Sequence, residues 1–98
     1  MPRSAQATDP FHALGDPNRR EIVKLLRGGE SSVQQLADRL PISRPAVSRH
    51  LRLLKQAGLV SDRPEGTRRL YRLQAEGIAD VRAYLEQGLP TFRAVPWW

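Results

Sequence analysis

The stretch that decides this fold is Ser43-Arg44-Pro45-Ala46-Val47-Ser48-Arg49-His50-Leu51-Arg52-Leu53-Leu54. Its first residue is a favoured helix N-cap, and Pro45 is tolerated because the N–H that it lacks has no intrahelical partner in the first turn. Val47, Leu51 and Leu54 recur at the spacing of one helical stripe, which predicts a buried face. Arginine and small polar side chains occupy the other positions. The pattern predicts a helix that docks on a core and presents a basic face to a partner.

Helix start and stop signals lie on both sides of this stretch. Aspartate or serine caps, proline at first helical positions and terminating glycines predict four further helices. The first helix is short, beginning at Asp9-Pro10 and ending at Gly15, and the second runs from Pro17 to Arg27. The third follows a capping box formed by Ser32 and Gln35 and ends at Pro41. The fourth is the central helix, which ends at Gly58, and the fifth runs from about Ala75 to Gln87. In the third helix, Val33, Leu36, Ala37 and Leu40 form the expected buried face.

The segment after the central helix changes to a strand pattern. Leu59–Arg63 and Arg68–Leu73 are predicted to be two short strands, joined by a turn in which Gly66 supplies a positive φ. Two strands alone are only marginally stable. We therefore expect Tyr71 and Leu73 to pack the hairpin against the helices.

The excess positive charge is confined to the central helix and this hairpin. Residues 44–72 hold eight basic and two acidic residues, so the net charge of this segment is +6. This equals the net charge of the whole chain. Such a local field, with a pI near 11, favours a polyanionic partner such as nucleic acid or an anionic membrane. The plain alternatives are an ordinary amphipathic helix with a solvated arginine face and an edge hairpin kept soluble by charge.

The third and fourth predicted helices and the short turn between them are expected to form a helix-turn-helix, a motif whose second helix enters the DNA major groove. Arg44 or Arg49 could bind guanine with two hydrogen bonds. The hairpin arginines would lie along phosphates or in a minor groove. His50 is either a structural residue at the edge of the buried stripe or a phosphate donor. The predicted DNA contacts are Ser43, Arg44, Pro45, Ser48, Arg49, His50 and Arg52 on the helix, and Arg63, Arg68 and Arg69 on the hairpin.

Four segments resemble the ArsR/SmtB family of winged-helix repressors: Ala13–Ile22, Ser43–Leu51, Ala57–Val60 and Glu65–Leu73. The resemblance covers roughly residues 9–87. It implies a mainly α fold with a β-hairpin wing, a winged helix-turn-helix of about five helices and two strands. It also implies a homodimeric bacterial repressor whose first and last helices form the dimer interface. The interface residues expected on this basis are Phe11, Leu14, Val81, Tyr84 and Leu85.

The family is known for metal-responsive members, so the ligand positions are compared one by one. The positions that would carry cysteine in the third helix hold Ser32 and Gln34. The last helix offers Asp80 and Glu86 but no histidine. A zinc or soft-metal site has no suitable ligand set here. We therefore expect no metal and no cofactor, and the effector, if one exists, is left open.

The composition and motifs also argue against several other classes of protein. Without cysteine there is no disulfide framework or thiol switch. No apolar run is long enough to span a membrane, and Met1–Thr8 lacks a signal-peptide core, so a soluble cytoplasmic protein is expected. No catalytic carboxylate pair, Cys/His pair or phosphate loop is present, so the chain is not expected to be an enzyme.

The expected organisation is a flexible arm over residues 1–8, a DNA-binding and dimerisation domain over 9–88, and a tail over 89–98. The tail ends in Trp97-Trp98, whose indoles could pack onto the fifth helix or a partner subunit, form an interaction site, or be disordered. The predicted function is sequence-specific binding of double-stranded DNA by a repressor dimer at a palindromic operator. The alternative is a winged-helix module whose basic face docks an acidic protein.

Overall fold

The computed structural model describes residues 9–88, which form five helices and a three-stranded antiparallel sheet. The bounds are α1 Pro10–Ala13, α2 Pro17–Leu26, β1 Ser31–Ser32, α3 Val33–Ala37, α4 Arg44–Gln56, β2 Val60–Glu65, β3 Arg68–Leu73 and α5 Ala75–Gly88. The predicted winged helix-turn-helix is confirmed. The predicted arm over residues 1–8 and the tail over 89–98, with Trp97 and Trp98, lie outside the described residues.

The predicted caps account for where the helices begin. Asp16 accepts hydrogen bonds from the amides of Asn18 and Arg19 at the start of α2. Ser32 and Gln35 form the reciprocal capping box before α3. Gly58 follows α4 with a φ of 79°, a conformation that glycine adopts without a Cβ penalty.

The helix α3 is shorter than predicted and ends at Ala37 rather than at Pro41. After it, the amides of Arg39 and Leu40 bond to carbonyls three residues back, which tightens the chain into a turn. Leu40 still packs against the core from this turn, so the apolar spacing was right although the helix does not extend to it. The helix α2 likewise ends at Leu26, one residue early.

The sheet has one strand more than predicted. The order is β1-β3-β2, and Ser32 of β1 pairs with Leu70 of β3. A strand of two residues carries no periodic signal and is created by its long-range partner. The hairpin also closes more tightly than expected, because β2 continues to Glu65 and leaves only Gly66 and Thr67 in the turn. With a φ of 63° at Gly66, this loop fits a type II′ turn.

The core lies between the helices and one face of the sheet. Its buried members are Ala13, Ile22, Leu26, Leu36, Val47, Leu51, Leu54, Leu59 and Val60. Tyr71 and Leu73 are half-buried and pack against this core, as predicted. Leu70, which points to the other face, is nevertheless only 7% exposed. It pairs with Ser32 of β1, which is itself buried.

The helix α5 packs against the backbone that leaves α4. A Cβ atom on Gly77 would overlap the carbonyl oxygen of Gly58, so only glycine permits this approach. This contact places α5 beside α1 and away from the exposed face of α4. No helix within residues 9–88 has the length and apolar character needed to cross a membrane.

Candidate nucleic-acid interface

The helix α4 is held firmly from beneath. Val47, Leu51 and Leu54 are fully buried, and the three side chains together fix the rotation of the helix about its axis. The hydroxyl of Ser43 accepts a hydrogen bond from the Ala46 amide at 3.2 Å, which satisfies one donor of the first turn. Ser43 therefore acts as the cap that the sequence predicted, and its role as a DNA contact stays a prediction.

The outward face of α4 carries the exposed side chains Arg44, Pro45, Arg49 and Arg52. Within residues 9–88, none of these three arginines is within ion-pair distance of a carboxylate. Ser48 is half-buried and small, so the backbone beside it is open to a close approach. The arrangement is a basic face that is both rigidly mounted and electrostatically uncompensated.

Three of the wing arginines, unlike the arginines of α4, have a carboxylate partner. Arg63 donates from Nε and Nη2 to the two oxygens of Glu30 at 3.0 and 2.9 Å. This fork-shaped contact lowers the pKa of the Glu30 carboxyl. Arg68 donates in the same way to one oxygen of Glu65. The sequence predicted these three arginines as DNA contacts of the hairpin but did not predict their partners, of which Glu30 is remote along the chain.

Asp62 connects the wing to α4. Its side chain, 7% exposed, accepts from Lys55 Nζ at 2.8 Å and from Arg69 Nε at 2.6 Å. These two hydrogen bonds, with that from Lys55 the larger influence, lower the pKa of the Asp62 carboxyl. Because Lys55 lies in the last turn of α4 and Arg69 in β3, the carboxylate fixes the position of the wing relative to the helix.

His50 lies on the flank of α4 and faces the protein on one side. Its Nδ1 is 3.2 Å from Nη1 of Arg19, a residue of α2 that is only 9% exposed. Burial lowers the pKa of the His50 imidazole; Asp16 raises it, and Arg19 and Arg49 lower it further. The structural reading of His50 is thus supported by a contact, and a DNA contact through its other nitrogen stays a prediction.

The five residues predicted for a dimer interface gather on one surface of α1 and α5. The rings of Phe11 and Tyr84 are in contact, with centroids 5.0 Å apart and planes tilted by 59°. Leu14, Val81 and Leu85 line an adjoining apolar groove of about 370 Å³. Phe11, Tyr84 and Leu85 are 41%, 60% and 51% exposed, which is high for large apolar side chains that share one surface.

The positions compared with metal-ligand positions are engaged in local structure. The Ser32 hydroxyl accepts from the Gln35 amide, and the Gln34 side chain donates to Asp38. Over residues 9–88, no three histidine, aspartate or glutamate side chains come together as metal ligands would. A serine hydroxyl and a glutamine amide supply no thiolate, so Ser32 and Gln34 do not fit the thiolate site of metal-responsive members.

Comparison with known proteins places this geometry in a family. Residues 16–62, from the cap of α2 to the first part of β2, match the model described as "Bacterial regulatory protein, arsR family". The chain is 52% identical over 77 residues to the HTH-type transcriptional regulator Rv2034 of Mycobacterium tuberculosis. That alignment covers 79% of this chain and 72% of the relative.

Two further relatives support the same placement. The transcriptional repressor SdpR of Bacillus subtilis is 40% identical over 70 residues, covering 71% of this chain and 78% of the relative. The solution structure of the homodimeric winged helix-turn-helix DNA-binding domain Mb0332 of Mycobacterium bovis superposes with a TM-score of 0.69 at 30% identity, covering 92% of this chain and 82% of that one. The chain belongs to the arsR family of transcriptional regulators, which bind DNA through a winged helix-turn-helix domain.

Proposed function

We propose that this chain is a sequence-specific transcriptional repressor that binds double-stranded DNA as a homodimer at a palindromic operator. The observation that carries the proposal is the exposed arginine face of α4. Arg49 and Arg52 extend from a helix whose other face is fully buried, and no carboxylate of residues 9–88 neutralises them. A fixed, uncompensated guanidinium is suited to the paired acceptors of guanine in a major groove.

The proposed division of labour follows from the two environments. Ser48, Arg49 and Arg52 face the bases, because they lie along the exposed middle of the recognition helix. Arg63, Arg68 and Arg69 face the phosphates, because their carboxylate partners hold them in the wing while part of each guanidinium stays free. Phosphate contacts set the position of the protein, and base contacts set the sequence.

The proposed dimer uses the surface of α1 and α5. Phe11 and Tyr84 are already in contact within one chain, and the neighbouring Leu85 is half-exposed. A two-fold axis through this surface would bury the same side chains on both subunits. Homodimerisation of the related Mycobacterium bovis domain supports the same assembly here. Two recognition helices related in this way would meet successive major grooves, about 34 Å apart.

Repression needs only that the dimer occupy a promoter and exclude the polymerase. The related protein SdpR is named as a repressor, which favours this outcome over activation. Such a protein works in the cytoplasm, where bacterial DNA lies. No metal or other cofactor enters this account.

The test is selection of bound DNA from a random duplex pool by the full chain at a stated salt concentration. We expect an enriched imperfect palindrome whose half-sites are centred about 10 base pairs, or a multiple of one helical turn, apart. The complex formed on that duplex should contain two copies of the chain. A module that docks an acidic protein would enrich no sequence, and this result would overturn the proposal.

A further inference from the structure

A cleft of about 360 Å³ separates the start of α3 from the wing. Arg44 borders it at the first turn of α4, and Arg68 and Arg69 border it from β3. Thr67 of the hairpin turn and Gln34 of α3 lie on its other sides. Three guanidinium groups from two separate elements therefore face one volume, which is large enough for a small ligand or part of a larger one.

The composition of this cleft is one-sided. None of its described lining residues is acidic. The neighbouring cavity on the other side of the wing, of about 250 Å³, includes Glu30 and Asp62 beside Arg63 and Arg72. In that second cavity Arg63 is therefore paired with Glu30, and Arg72 donates to the Ser61 hydroxyl. Of these two cavities that flank the wing, only the first combines several cations with no anion.

The carboxylate partners of the wing arginines orient these side chains without using all their donors. A guanidinium has five N–H groups. Arg69 uses Nε toward Asp62, and Arg68 uses Nε and Nη2 toward Glu65. Both side chains keep further N–H groups for a ligand in the cleft. Arg44 forms no ion pair with any residue in 9–88, so its entire guanidinium is available.

We infer that this cleft binds a phosphate group, held jointly by Arg44, Arg68 and Arg69. A phosphate offers several anionic oxygens, and arginine forks match it with paired hydrogen bonds. The inference deepens the proposed function and rests on it where the phosphate belongs to the operator. It changes the role of Arg44, which then grips the DNA backbone and does not read a base. A free organic phosphate would occupy the same cleft and compete with the operator.

The operator arm of the test uses duplexes in which one phosphate at a time is replaced by an uncharged methylphosphonate. The variants are Arg44→Gln and Arg68→Gln, with Arg72→Gln as the control of equal charge change outside the cleft. The two cleft variants should become insensitive to the same single replacement, while Arg72→Gln keeps the wild-type pattern. The slope of log affinity against log salt concentration should flatten by about 0.9 in either cleft variant. In the double variant Arg44→Gln/Arg68→Gln it should flatten by less than twice that amount, because both arginines hold the same phosphate.

The free-ligand arm adds inorganic phosphate or adenosine monophosphate to the isotope-labelled full chain, with chloride at equal ionic strength as the comparison. Shifts of the Thr67 and Gln34 amide resonances that vanish in Arg44→Gln would show that free phosphates enter the cleft. Shifts with the operator alone would show that the site takes only backbone phosphate.

The outcomes separate the inference from the proposed function. If the wild type binds a selected operator but Arg44→Gln and Arg68→Gln lose sensitivity at different phosphates, or at none, and free phosphate shifts neither amide, the cleft is not a phosphate site. If no operator is enriched but free phosphate still perturbs the cleft, the repressor proposal fails and the phosphate site stands.

Discussion

Arg19 joins α4 to the end of α1. Its Nη1 lies 3.2 Å from Nδ1 of His50, while its Nε donates to the carbonyl oxygen of Ala13 at 2.6 Å. One nearly buried guanidinium thereby connects α4, which faces the proposed operator, with α1, which belongs to the proposed dimer surface. The imidazole accepts at Nδ1, so the geometry requires neutral His50 with its proton on Nε2.

Replacing Arg19 by Met should destabilise the fold by about 2 kcal/mol, because a charged donor loses two acceptors and the Ala13 carbonyl is left without this partner. The free energy of unfolding in urea measures the effect. Arg20 provides a matched control: it donates to the Leu14 carbonyl at 2.8 Å but is exposed. Arg20→Met should cost less than about 1 kcal/mol. Equal losses in the two variants would contradict a special role for Arg19.

Acidification should weaken the fold through His50. Burial lowers the pKa of the folded imidazole below its ordinary value of 6.5, so the unfolded chain takes up the proton first. The stability that neutral His50 contributes is complete above that value. It is lost as the pH falls from 6.5 toward the lower pKa of the folded state.

The variant His50→Gln tests this dependence because glutamine keeps an acceptor for Arg19 and does not titrate. Urea midpoints from about pH 7.5 to about pH 5.5 should fall less in this variant than in the wild type. His12 is exposed and outside the contact, so His12→Gln should retain the steeper wild-type dependence. A wild-type slope in His50→Gln would show that this histidine is not the titrating group.

Asp62→Asn should loosen the wing from α4. The neutral amide leaves Lys55 and Arg69 close together without their shared anion, and the loss should be about 1–2 kcal/mol, between the values for exposed and buried ion pairs. Hydrogen exchange should quicken in β2 and β3 more than in α2. The exposed pair of Lys24 and Glu21, 3.6 Å apart, supplies the control, since Glu21→Gln should leave stability unchanged. Unaltered exchange in the wing of Asp62→Asn would remove the proposed link.

Leu85→Glu should shift the chain from dimer to monomer, because it places a carboxylate in the apolar groove beside Val81. Sedimentation equilibrium should show at least a tenfold weaker association, about 1.4 kcal/mol. Gln87→Glu adds the same charge at an exposed position nearby and should associate like the parent. A second form lacking residues 96–98 tests the role of Trp97 and Trp98, and an unchanged dissociation constant there would argue against packing of these indoles at the interface.

The elements that the sequence predicted well are those specified by neighbouring residues. The helix α4 begins at the Ser43 cap and is followed by Gly58 at positive φ, as its local pattern indicated. The strand β1 escaped prediction because it depends on pairing across about forty residues.

The candidate site shows the same division. The exposed arginines of α4 follow from helical periodicity, and the structure gathers the five predicted interface residues on one surface. The carboxylates that hold the wing did not follow, because Glu30 meets Arg63 only after the sheet has formed. The exposure of an arginine can be read from a pattern, but its ionic partner requires the tertiary fold.

The central claim is that Arg49 and Arg52 of α4 read bases, and Arg49→Ala tests it most directly. The measurement is a repeated selection of operator sequences with this variant, compared with the wild type at the same salt concentration. We predict that base preference disappears at one position in each half-site, with a loss of about 1–3 kcal/mol on the parent operator and the rest of the motif intact. An unchanged motif, or a uniform loss of affinity for all sequences, would contradict the claim.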